Sequence, residues 1–186
     1  EQQPAQSQQQ PAPTQPEPTQ PAQEATAALV TASPGLRRET MVILAPSAAA
    51  DGKMKLESQT MHRYVTPLTF ELYDEQNQLL QQGIVPLTGE RELSLPAGAE
   101  GYQMLRLDSG LNRYVLTTET PHCFMASEAY RLRVNQFAGN LYFFVPEGCK
   151  RFEVRVLCES PNEGALCQVI DPEGNVAAQV AGEIAQ

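Results

Sequence analysis

Apolar and polar residues alternate along most of the chain beyond Met41, with a period of two rather than the 3.6 of a helix. Leu68, Phe70 and Leu72 alternate with Thr69, Glu71 and Tyr73. Tyr130, Leu132 and Val134 alternate with Arg131, Arg133 and Asn135, and Phe152, Val154 and Val156 alternate with Arg151, Glu153 and Arg155. Each run predicts a strand with one buried and one wet face. Leu141-Tyr142-Phe143-Phe144-Val145 is apolar on both faces, which predicts a central strand. Weaker alternation predicts strands at Met41–Ala45, Lys53–Gln59, Leu79–Val85, Arg91–Leu95, Tyr102–Asp108, Arg113–Thr118, Leu166–Ile170 and Val176–Val180. On this pattern Phe70, Phe143 and Phe152 belong to the core, whereas Tyr64, Tyr73, Tyr102, Tyr114 and Tyr142 are expected to face outward.

Turn chemistry fills the gaps. Asp74-Glu75-Gln76-Asn77, Pro96-Ala97-Gly98, Asp108-Ser109-Gly110, Pro146-Glu147-Gly148 and Asp171-Pro172-Glu173-Gly174-Asn175 all carry turn residues. Pro presets φ, Gly accepts positive φ, and Asp captures a nearby backbone N–H. Strands at this spacing, with no amphipathic helix between them, predict an all-β, antiparallel β-sandwich or barrel over residues 41–186. One large sandwich and two small jelly-roll or immunoglobulin-like halves, split near 120–127, both fit. The hairpin pattern recurs, since Phe70–Asn77 resembles Cys167–Asn175. The offsets between such echoes differ, so there is no tandem repeat.

The first 28 residues hold nine Gln, six Pro and six Ala and contain no Lys, Arg, aromatic, Ile, Leu or Val. Such a stretch has no apolar surface to offset the entropy of ordering it. Residues 1–40 are therefore expected to form a disordered, extended Pro/Gln-rich arm or linker. A Pro/Gln-rich segment ahead of a strand-rich domain fits the spacer that follows an export leader, and predicts a secreted, periplasmic or outer-surface location. The charge balance of 13 Lys+Arg against 22 Asp+Glu, net −9, argues against nucleic acid and against a polybasic membrane anchor. No apolar run is long enough to make a transmembrane segment.

Cys123, Cys149, Cys158 and Cys167 cluster late in the chain without C-x-x-C spacing, a poor zinc pattern. An even number fits an oxidising compartment. The preferred pairs are Cys158 with Cys167, across a turn, and Cys123 with Cys149. Four reduced cysteines are the alternative.

The succession Leu141–Gly148, then Phe152-Glu153-Val154-Arg155-Val156, then Val169-Ile170-Asp171-Pro172-Glu173-Gly174-Asn175 resembles the bacterial pre-peptidase C-terminal type of domain. The likeness covers about 40 residues. It departs at Glu163–Cys167, where such domains carry an aspartate-rich strand. The resemblance implies a non-catalytic accessory module of a secreted or surface protein, and carries no functional residues across.

Candidate chemistry is sparse. His62 and His122 lack metal-ligand spacing, and no G-x-S-x-G elbow accompanies them. His122 and Cys123 are adjacent on a strand pattern and point to opposite faces. Asp74, Glu75, Asp171 and Glu173 read as turn residues, with a calcium site as the alternative. Tyr73, Tyr102 and Tyr142 are candidates for stacking a sugar, although Trp, the best platform, is absent. Arg131, Arg133, Arg151 and Arg155 would line one patch if their strands were neighbours, able to hold an acidic polymer or to pair with Glu128 and Glu153. The expected function is a non-catalytic binding or spacer module without cofactor, its partner a polysaccharide or another envelope protein. The rivals are a small secreted hydrolase using an Asp/Glu pair and a structural subunit of a surface assembly.

Overall fold

The structure is a computed structural model, which describes residues 30–97, 101–135, 139–158 and 164–183. Of the arm expected over residues 1–40, residues 1–29 lie outside the described residues; the described remainder is not an arm, since Thr31–Ala32 and the start of Leu36–Leu44 are paired strand. The described chain is all-β, every strand pairing is antiparallel, and no helix occurs among the described residues. It divides into two compact units, residues 1–139 and 140–186.

The first unit contains β1 (Thr31–Ala32), β2 (Leu36–Leu44), β3 (Gly52–Gln59), β4 (Leu68–Tyr73), β5 (Leu79–Val85), β6 (Gly89–Leu95), β7 (Gln103–Thr118) and β8 (His122–Phe124). All eight belong to one sheet. The sheet begins at Thr31, ahead of the first predicted strand, and Leu36 is fully buried. Alternation in β3 and β4 holds as the sequence predicts: Met54, Leu56, Leu68, Phe70 and Leu72 are buried while their neighbours are not.

β7 organises the unit. Sequence reasoning reads Asp108-Ser109-Gly110 as a turn between two strands, yet the chain runs through it as one 16-residue strand. The turn residues bend the strand instead. Gly110 has φ of 55° and its N–H donates to Asp108 Oδ1 at 2.8 Å, while Ser109 Oγ donates to Asn112 O at 2.7 Å. In the partner strand Arg38 also has positive φ, 60°, and the register jumps from Arg37↔Arg113 to Glu39↔Asp108. Buried positions are odd up to Ser109 and even from Asn112. The register advances two residues in β2 against five in β7, and an odd excess of three residues shifts the alternation in just this way, keeping both halves facing the same core. Before the bend β7 pairs with β2 and β4; after it, with β1, β3 and the start of β2.

The bend folds the sheet over a core of fifteen buried apolar residues, including Leu36, Val42, Leu56, Phe70, Leu105, Tyr114 and Leu116. At the far edges, Arg91 of β6 reaches β5. Its Nη1 donates to Ile84 O at 3.2 Å and its guanidinium lies 5.0 Å from the centroid of the Phe70 ring. Buried Asn112 fixes the β3–β4 connection: its Oδ1 accepts from Met61 N at 2.8 Å and its Nδ2 donates to Thr66 O at 2.8 Å. Tyr114 corrects an expectation, since it is 0% exposed and not outward-facing. Burial pushes its phenol pKa well up, the nearby Thr40 hydroxyl pulls the other way, and neither hydroxyl has a hydrogen-bond partner of good geometry.

Among its described residues the second unit contains one antiparallel hairpin, β9 (Gly164–Ile170) with β10 (Val176–Glu183). Its turn has the predicted chemistry and matches the β4–β5 turn bond for bond. Asp171 N donates to Asn175 O and Asp171 Oδ1 accepts from Asn175 N, as Asp74 does with Gln78. The positive φ falls at the same place, Gly174 in one turn and Asn77 in the other.

Three predicted strands do not form. Residues 130–134 contribute only an isolated bridge, Val134 to Leu36, and 141–145 and 152–156 are irregular. Phe143 and Phe152 are 54% and 51% exposed, so neither is a core residue. The alternation supplies these segments with a strand's two faces, but a strand exists only when its backbone finds a ladder.

Candidate functional site

The outer face of β2, β7 and β4 carries the most developed polar arrangement of the first unit. Arg106 stands between Leu105 and Leu107 of β7, so its side chain is on the opposite face from the core. The register sets Glu71 of β4 directly across from it, and Glu39 of β2 lies diagonally on the other side. Arg106 Nε donates to Glu39 Oε1 at 2.8 Å and Nη1 reaches Glu71 Oε2 at 3.4 Å. Tyr73 Oη donates to the same Glu71 oxygen at 2.8 Å. The hydrogen bond to Glu39 raises the pKa of Arg106, and the one to Glu71 raises that of Tyr73. The four side chains thus form a chain Tyr73–Glu71–Arg106–Glu39 across three strands, held open to solvent.

Tyr102 continues this face. It precedes β7, in phase with Met104 and Arg106, and Met104 is the register partner of Tyr73. Tyr73 and Tyr102 therefore occupy diagonal positions at one end of the network, a spacing within reach of aromatic side chains. Tyr102 is 44% exposed. Two of the three predicted stacking tyrosines come together here. The third, Tyr142, belongs to the second unit and is 92% exposed.

The four arginines do not share a sheet face, because neither of their segments is a strand. Arg131 is exposed; the carbonyl of Arg133 accepts from Arg37 N. Arg151 and Arg155 lie in the second unit, where Arg155 pairs with Glu153 at 3.0 Å. All four cysteines are free thiols; Cys123 and Cys149 are exposed. Nδ1 of His122 lies 3.0 Å from the Thr120 carbonyl, and His62 packs edge-on to Tyr64. Among the described residues, no group of three or more His, Cys, Asp or Glu is placed to hold a metal ion, and no helix is long and apolar enough to cross a membrane.

An acid–base pair needs two carboxylates aimed into one cleft. Glu39 and Glu71 instead share one guanidinium on an open face. A cleft of about 280 Å³ elsewhere in the first unit is lined by Asp51, Leu72, Leu80, Gln81, Ser94 and Pro96, with a single carboxylate among them. That carboxylate already accepts from Ala97 N at 2.8 Å. What the outer face offers is two phenol rings beside a row of fixed donors and acceptors, a set suited to binding a planar or hydroxyl-rich group.

Sequence reasoning missed Glu39, Glu71 and Arg106 as a group. Each is one charged residue on the wet side of a strand, and nothing local says which strands will be neighbours. No protein-family model matches the chain, and no curated protein is a significant match to it.

Proposed function

We propose that this chain is a non-catalytic binding or spacer module of a secreted or envelope-associated bacterial protein, built as a β-sandwich whose two layers are the halves of the sheet bent at Gly110. The observation that carries the reading is the outer face of β2, β7 and β4. Its carboxylates are occupied by Arg106 while half-buried Tyr73 and exposed Tyr102 stand beside them. Such a face can stack a sugar ring and bond its hydroxyls, and it does so without a general acid or base. The partner is a polysaccharide or another envelope protein. The likeness of residues 141–175 to pre-peptidase C-terminal domains implies the same accessory role, although of the segments that carry it only the closing hairpin is strand. Export brings the chain into an oxidising compartment, where Cys158 and Cys167 would bond and restrain the segment joining them. Peptide mapping of periplasmic material without reductant shows that bond, and four alkylatable thiols in such material rule it out.

Retention on insoluble polysaccharides and on isolated cell-wall fractions tests the binding reading. The wild-type chain is expected to be retained. The Tyr73→Ala/Tyr102→Ala variant is expected to bind about tenfold less, since each lost ring contact is worth about 0.5–1.5 kcal/mol. Full retention of that variant removes the face from the proposal, and turnover of any retained substrate that persists through repurification ends the non-catalytic reading.

A further inference from the structure

Among the described residues of the second unit, large apolar side chains stand exposed and none is part of a buried core. Phe144, Leu166 and Val180 are 85%, 68% and 68% exposed, and Phe152, Val154 and Val156 are each at least 40% exposed. A lone two-stranded hairpin is marginal in water, and apolar surface on this scale marks a contact site. Residues 151–156 keep full strand alternation, Phe152, Val154 and Val156 against Arg151, Glu153 and Arg155, yet residues 152–157 join no ladder among the described residues. Phe143 already lies against Phe152, ring centroids 5.3 Å apart, so the apolar side of the segment has a backing.

The charges on the other side specify what can pair with it. We infer that this segment is the interface for a second copy of the chain, joined as an antiparallel strand pair with its two-fold axis at Val154. In that register Glu153 stands opposite Arg155 of the second copy, Arg155 opposite its Glu153, and Phe152 opposite its Val156. Both charges are largely exposed, 66% for Glu153 and 64% for Arg155, and they already attract one another within a chain at 3.0 Å. Centring the pair on Glu153 would set Glu153 on Glu153 and Arg151 on Arg155. An in-register parallel pair would set every like charge on its like. Opposite charges across an antiparallel pair stabilise it and like charges destabilise it. The pattern therefore favours the register centred on Val154 over all but one other, centred on Phe152, where Arg151 would face Glu153 but Arg155 would face Cys149; both are self-complementary as a closed two-fold contact must be, and only the first responds to Arg155→Glu.

The test is sedimentation equilibrium of the full chain across a concentration series, with charge-reversed variants. The wild type is expected to dimerise reversibly. Glu153→Arg places cation on cation at both pairs and Arg155→Glu places anion on anion. Each alone is expected to weaken the dimer at least about tenfold, the order set by like-charge juxtaposition at an interface. An equimolar mixture of the two variants restores opposite charges across the interface only, since within each chain the charges remain alike. The mixture is expected to form a heterodimer with affinity close to wild type. A monomeric wild type overturns the inference, as does a mixture no more associated than its components. The result is independent of the Tyr73–Tyr102 face: a monomer still retained on polysaccharide refutes the dimer and leaves the binding reading standing.

Discussion

Gly83 leaves the space that the Phe70 ring occupies against β5. It sits in β5 opposite Phe70 of β4, whose ring is 1% exposed. A Cβ at position 83 would lie 2.9 Å from both Cε1 and Cζ of that ring and 2.8 Å from Arg91 Nη1. Exposed Arg91 can swing aside, but the ring cannot retreat freely. The ring is packed in the core, and Arg91 caps it at 5.0 Å while bonding the Ile84 carbonyl. Gly83→Ala is thus an overpacking substitution, costing about 1–3 kcal/mol, less about 0.5–1 kcal/mol that Ala gains over Gly inside a strand. The net expectation is a loss of about 1–2 kcal/mol, or about 5–10 °C in Tm for a unit of this size. Thermal unfolding followed by far-ultraviolet circular dichroism reads it out. Phe70→Leu deletes the ring atoms that the new Cβ meets. In that background Gly83→Ala should be close to neutral, giving a coupling energy of about 1–2 kcal/mol. A neutral or stabilising Gly83→Ala in the wild-type background, or equal costs in both, would refute the reasoning.

Three further outcomes are expected. Gly110→Ala should destabilise the first unit by about 1–2 kcal/mol or more, because Gly110 sits at φ 55° and its added Cβ would meet Thr66 at 3.1 Å; denaturant unfolding checks it. Tyr114→Phe should be neutral or stabilise by up to about 1 kcal/mol, since the buried hydroxyl has no hydrogen-bond partner, and a clear loss of stability in the same assay would show that the hydroxyl is paired after all. The hydrogen bonds from Asn175 lower the pKa of Asp171, so its carboxylate steadies the β9–β10 turn above the ordinary value of 3.8 and that support is lost as pH falls through the lower folded value. The Asn175 amide resonance should therefore titrate with a midpoint below 3.8; a midpoint at or above it contradicts the bonding.

The all-β class, most of the strands of the first unit and both Asp-led hairpin turns were legible in the chain alone. These features are local: period-two alternation fixes which side of a strand is apolar, and an Asp followed by a residue tolerant of positive φ closes a turn within five residues. Three other features depended on tertiary structure. The Asp108–Asn112 stretch has the composition of a turn, and only pairing with β2 and β4 on one side and β3 on the other makes it a bend within a single strand. The runs at 130–134, 141–145 and 152–156 have strand alternation as clear as that of β4, but a strand is a partnership between backbones and the described chain gives them no ladder. The Tyr73–Glu71–Arg106–Glu39 network joins residues up to 67 positions apart. Each position carries one charge or phenol on a wet face, and its meaning comes from the register that sets the three strands side by side, a property that no single segment encodes.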